Sequence, residues 1–105
     1  MAVPPVPALT PEQRAAALAK AAESRRARAA LKESLRTGER TLADVLVDTD
    51  EVVAKTKVSE LLEALPGVGP VRAARLLSEC EISPSRRVRG LGSHQRLALV
   101  AAVDR

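Results

Sequence analysis

Two short stretches of this 105-residue chain concentrate the residues that can hold an anion. The first is Leu65-Pro66-Gly67-Val68-Gly69-Pro70, followed by Arg72 and Arg75. Glycines on both sides of Val68 allow a sharp turn and let a phosphate approach the backbone with no Cβ in the way. The Gly67 and Gly69 amides are expected to face outward at the start of the next helix, where the helix dipole reinforces them. Val68 plugs the gap between the two helices, and Arg72 and Arg75 supply charge near the phosphate. The second stretch is Arg86-Arg87-Val88-Arg89-Gly90-Leu91-Gly92. Guanidiniums this dense, beside glycines that free the backbone, suit phosphate contact or insertion into a narrow minor groove. Lys55 and Lys57, just ahead of the hairpin's first helix, add a contact or two. The bland alternatives are an ordinary αα turn and a solvated basic loop.

Other chemistries lack their residues. Cys80 is the only cysteine and His94 the only histidine. There is thus no intrachain disulfide, no CxxC site, and no support for a metal centre or Cys–His catalysis. Cys80 reads as a small core residue and His94 as a helix-start residue. The carboxylates fall on helix faces beside basic groups, so a paired-acid site is not expected. The expectation is no catalytic residue, no cofactor and no small-molecule substrate.

The elements that must carry these stretches are helices. Residues 1–9 hold three prolines and read as a flexible arm. Thr10 is an N-cap, with Pro11 at N1 and Gln13 completing a capping box. A long basic helix follows over 10–37 and stops near Gly38. Its apolar face is thin, with Ala27, Leu31 and Leu35 at one end and only alanines and Leu18 at the other. Arg14, Arg25, Arg28, Lys32 and Arg36 fall in one sector of it, and the last four are candidate secondary contacts. Residues 41–105 form the helical domain. Thr41 caps a short helix with Leu42, Val45 and Leu46 inward, ending around Asp48–Asp50, and Glu51–Lys55 makes another turn. Ser59 is expected to cap Glu60–Leu65. Pro70 opens a helix through Val71, Ala74, Leu77 and Cys80, and Ser93 caps a last one from His94 to about Val103. No β-alternation is present, so the fold class is all-α.

Composition narrows the partner. There are 19 Ala, 14 Leu and 12 Val but no Phe, Trp or Tyr. The core must be aliphatic, and proteins that stack bases on aromatic platforms are excluded. Basic residues outnumber acidic ones eight to four over residues 1–40 and seven to three over 71–105, with the reverse, two to six, between. A basic arm and a basic C-terminal third around an acidic waist offer two places for a polyanion. The longest apolar run, 97–103, is far too short to span a bilayer, and the N-terminus lacks the pattern of a signal peptide. A cytoplasmic protein is expected.

With both stretches in place the chain resembles the actinobacterial integration host factors, nucleoid-associated proteins. The resemblance rests on Leu9-Thr10-Pro11-Glu12-Gln13-Arg14-Ala15-Ala16-Ala17-Leu18, Lys57-Val58-Ser59, Leu61 through Gly69, and Arg86 through Gly92. It implies a long N-terminal helix packed on a compact helix-two-turn-helix module (58–103), itself similar to a small-subunit-head ribosomal protein. It also implies binding and bending of double-stranded DNA with little sequence specificity, in the nucleoid, by a protein monomeric without DNA. The contacts it implies are the hairpin amides of Gly67, Val68 and Gly69 and the side chains of Arg86, Arg87 and Arg89, to which the charge and position of Lys57, Arg72 and Arg75 add three more candidates. The family often carries Lys where this chain has Pro70, so one hairpin contact is either absent or supplied by Arg72. The alternative is a small rRNA-binding protein, which would usually add a long basic tail where this chain ends at Arg105.

Overall fold

The computed structural model describes residues 8–104, and these are helical, with a single isolated β-bridge in place of any strand. The expected arm falls almost wholly outside the described residues. Helix α1, Pro11–Thr37, begins with the capping box its sequence announces. Thr10 Oγ1 accepts the Gln13 N–H at 3.1 Å, and Gln13 Oε1 accepts the Thr10 N–H at 3.0 Å. Gly38 ends it in the left-handed region, at φ 82°. At 1.5 Å per residue the helix is about 40 Å long, yet only Leu31 and Leu35 are buried. Residues 11–21 are all exposed, so the N-terminal half projects past the rest of the protein.

Five further helices follow, α2 (Leu42–Leu46), α3 (Glu51–Lys55), α4 (Val58–Ala64), α5 (Pro70–Glu79) and α6 (Ser93–Val103), and α1 packs mainly on α3 and α4. Leu42, Val45 and Leu46 point inward as the pattern requires, beneath a capping box between Thr41 and Asp44. The core is aliphatic throughout, with Leu35, Leu46, Leu61, Leu62 and Leu99 as its largest fully buried side chains. Each contributes on the order of 1.5–3 kcal/mol.

Four local expectations are corrected. Helix α2 ends at Leu46 rather than near Asp48–Asp50. Helix α4 begins at Val58 with Lys57 as its N-cap, so Ser59 lies inside it. A tertiary contact replaces the cap: the Val58 N–H donates to the Arg86 carbonyl at 3.0 Å, and the Val88 N–H donates to the Thr56 carbonyl at 3.0 Å. Helix α6 likewise begins at Ser93, after Gly92, whose N–H is accepted by Gln95 Oε1 at 3.0 Å. On α5 the buried residues are Ala73, Leu76 and Leu77, while Val71 and Ala74 face solvent. A strict three-residue spacing walks about 60° round a helix at each step, so 71, 74, 77 and 80 do not share one face.

One side chain ties these pieces together. Arg96, on α6, reaches three carbonyls in three segments: Leu46 at the end of α2, Val88 at 3.1 Å in the 3-10 turn Val88–Gly90, and Leu91 at 3.4 Å beyond it. Charge-assisted bonds of this kind are worth roughly twice neutral ones. Arg96→Met keeps much of the apolar stem but leaves the carbonyls without their donor, and should cost about 3 kcal/mol. Urea unfolding checks this; a loss below about 0.5 kcal/mol would show that the carbonyls are served equally well by water.

Candidate nucleic-acid interface

The hairpin between α4 and α5 is a type II turn. Pro66 occupies its second position, Gly67 its third at φ 76°, and the Val68 N–H closes it on the Leu65 carbonyl at 3.2 Å. Only Gly67 therefore needs a glycine's backbone freedom. Gly69 is extended, at φ −91° and ψ −178°, and a Cβ built there would meet nothing within 4 Å. The two glycines, expected to share one task, therefore differ. The Val68 amide, expected to face a ligand, is spent inside the turn. The Gly67 and Gly69 amides are exposed, and no other group of the described residues takes them. Val68 is buried between the helices as expected.

In front of the hairpin lies an open groove of about 840 Å³, walled on the far side by α1. Lys32, Arg36, Glu33, Glu60 and Glu63 line it. Lys32 Nζ lies 3.3 Å from Glu60, and Arg36 donates from Nε to Glu33 at 2.8 Å. The two cations at this end of the α1 stripe are thus already paired with carboxylates. Arg72 and Arg75 do not line this groove. They border a smaller cleft of about 290 Å³ between α5 and α6, beside Glu79 and Ala102.

The basic loop is built against α3. The antiparallel bridge pairs Lys57 with Arg87, and Lys57 itself is exposed. Arg87 Nη1 donates to the Lys55 carbonyl, capping the C-terminus of α3. Arg86 folds back over the loop and donates from Nη1 to the Gly90 carbonyl at 3.0 Å. Its Cδ would stand 2.7 Å from a Cβ at position 90, so any other residue there would push the exposed Arg86 side chain aside. Arg89 is exposed and, among the described residues, holds no hydrogen-bond or ion-pair partner. A pocket of about 270 Å³ joins this loop to α1, with Lys20, Ser24, Arg28, Lys55 and Arg87 among its walls. Arg28, expected as part of a separate helix contact, thus joins the loop's cavity, together with Lys20, which lies outside the sector of Arg25, Arg28, Lys32 and Arg36. Arg25 stays exposed on α1 outside both cavities.

The arrangement has relatives. Residues 35–103 match the model of the S13-like H2TH domain. The chain is 58% identical over 101 residues to the integration host factor of Mycolicibacterium smegmatis, covering 94% of this chain and 96% of that one. The integration host factor of Mycobacterium tuberculosis is 59% identical over 97 residues, 90% of this chain and 92% of its own. That of Streptomyces coelicolor is 54% identical over 101 residues, 94% and 92% respectively. A solved structure of sIHF bound to an 8bp palindromic DNA superposes with a TM-score of 0.72 at 46% identity, over 81% of this chain and 93% of that one.

One carboxylate reports the charge at the loop. Glu51 pairs with Lys55 at 2.8 Å. The Lys55 hydrogen bond and charge, followed by the charges of Lys20 and Arg89, hold its carboxyl below the ordinary glutamate value of 4.5. A depressed value means that the folded state favours the ionised form. Its stabilising contribution is present above 4.5 and is lost as pH falls through the lower folded value. A carboxyl-detected NMR titration should place the Glu51 midpoint below 4.5. Lys55→Gln should raise it more than Lys20→Gln does; equal shifts would mean that the contact with Lys55 does not dominate.

Proposed function

We propose, for a chain that belongs to the integration host factor family of actinobacteria and carries an S13-like H2TH domain, a role as an architectural protein that binds double-stranded DNA. It holds the duplex through phosphates, without catalysis and with little sequence preference. It acts as a monomer in the cytoplasm, at the nucleoid. By bending the duplex it supports chromosome organisation, transcription and phage integration. The described residues include no helix long and apolar enough to cross a membrane.

The observation that carries this reading is Gly69. The turn does not require glycine there, and among the described residues nothing occupies the space its side chain would take and nothing accepts its amide. A glycine that the fold does not need is explained by a ligand that comes close. Phosphate is the ligand suited to a free amide at the N-terminus of the ten-residue α5. Arg72 and Arg75 follow on the same helix, Lys57, Arg86, Arg87 and Arg89 add the loop's cations, and Arg25, Arg28, Lys32 and Arg36 form a second line on α1. Lys32 and Arg36 must exchange Glu60 and Glu33 for phosphate to join it. A ribosomal RNA-binding role is the second reading, supported by the kinship of the domain, and the same assay separates the two.

A salt series on duplex DNA and duplex RNA tests the proposal. With about six phosphates neutralised, log K should fall against log salt with a slope near −5 on DNA. Arg89→Ala should make the slope shallower by about 0.9, equally for all DNA sequences, because phosphate contacts carry no sequence information. Gly69→Ala should leave thermal stability unchanged and weaken binding about tenfold, the worth of one charge-assisted hydrogen bond. Salt-independent affinity, or tighter binding to RNA than to DNA, would overturn the DNA reading.

A further inference from the structure

The pocket between α1, α3 and the basic loop has a charge imbalance that the protein itself does not resolve. Four of its walls are cationic, from Lys20, Arg28, Lys55 and Arg87, and one is acidic, from Glu51. Glu51 is taken by Lys55 at 2.8 Å. That leaves Lys20, Arg28 and Arg87 converging on one cavity with no carboxylate at ion-pair distance among the described residues, although the Lys20 charge also acts on Glu51. Arg87 commits one N–H to the Lys55 carbonyl, and the rest of its donor fork remains for another acceptor. Cations gathered this closely repel one another and are stabilised by an anion placed among them.

The position of the cluster is built rather than accidental. On α1, Lys20, Ser24 and Arg28 follow a four-residue spacing and lie on the stripe continued by the buried Leu31 and Leu35. The face that is apolar over the core turns polar where it passes over Glu51–Lys55. Ser24 and Arg28 are half-buried and Val52 floors the site, so these side chains are held against α3 instead of spreading into solvent. The Arg87 side is fixed by the backbone bridge between Lys57 and Arg87. The cavity, about 270 Å³, has room for a phosphate group with bound water.

We propose that this pocket is a phosphate-binding site in which Lys20, Ser24 and Arg28 of α1 and Arg87 of the loop grip the same phosphate. The assignment rests on the DNA reading only for the source of that phosphate. If it comes from the duplex backbone, the long helix and the basic loop are two jaws of one contact rather than two separate surfaces. If it is a free phosphate or diphosphate, the site takes it without DNA.

Two measurements on the full chain decide. The first is the salt slope of duplex affinity for Lys20→Gln and for Lys20→Gln with Arg28→Gln. Arg26→Gln is the control, since it removes the same charge from the same helix at an exposed position outside the pocket. The second is binding of inorganic pyrophosphate, followed by phosphorus NMR, with thermal unfolding to verify folding of each variant. For a backbone phosphate, affinity should fall in Lys20→Gln and fall further in the double variant, whose slope should be shallower by about 0.9, the share of the one phosphate these residues hold, with a smaller change for Arg26→Gln. For a free phosphate, pyrophosphate should bind the parent protein and be lost in the double variant, with the duplex slope moved by Lys20→Gln no more than by Arg26→Gln. If Lys20→Gln matches Arg26→Gln and pyrophosphate does not bind, the pocket is not a phosphate site. If the parent protein fails to bind duplex at all, the DNA reading falls, and the pyrophosphate arm still judges the pocket.

Discussion

The fold turns on a cation that has no carboxylate partner among the described residues. Arg96 is partly buried, and its guanidinium is satisfied by main-chain carbonyls of α2, of the 3-10 turn and of the segment beyond it. Desolvating a charge in this way is unfavourable unless several acceptors surround it. Once they do, three segments without a strand or a disulfide between them are held at fixed separations. The loop that carries Arg86, Arg87 and Arg89 is anchored on one side by this contact. On the other it is held by two backbone hydrogen bonds to Thr56 and Val58. A cluster of like charges held so firmly can be preorganised for phosphate, because the repulsion among its members is opposed by the Arg96 contacts and the backbone bonds as well as by the Arg86 and Arg87 head groups.

Much of this was legible wherever the signal is local. The capping boxes at Thr10 and Thr41, the proline at the start of α1 and of α5, and the stop at Gly38 all depend on residues within one turn of one another, and all were readable. The starts of α4 and α6 were not. Ser59 and Ser93 look like caps, but α4 is capped by its contact with the loop about thirty residues on, and α6 by Gln95 reaching back to Gly92. Arg96 was invisible for a related reason. An arginine on a helix reads as solvated until the carbonyls it reaches, fifty residues away for Leu46, are known to lie beneath it.

The basic stripe on α1 shows a different limit. Helical spacing places Arg25, Arg28, Lys32 and Arg36 in one sector, and that geometry is sound. Spacing does not say what stands opposite. Lys32 and Arg36 face a groove with three carboxylates, whereas Arg28 faces α3 and the loop. One stripe therefore serves two electrostatic environments. The usable signal for the second was the run Lys20, Ser24, Arg28, Leu31 and Leu35, a core-facing stripe that turns polar without leaving the face.

The glycines of the hairpin make the same point at the scale of single residues. Gly-Val-Gly reads as one motif, yet Gly67 answers to the turn and Gly69 does not. Substituting the first strains the backbone by about 1–2 kcal/mol. Substituting the second changes only what can come near α5. A chain without aromatic side chains has no stacking surface with which to hold a nucleic acid. It must rely on how near a phosphate can come to its amides and guanidiniums, so the absence of one Cβ at position 69 carries a weight that an aromatic ring carries elsewhere.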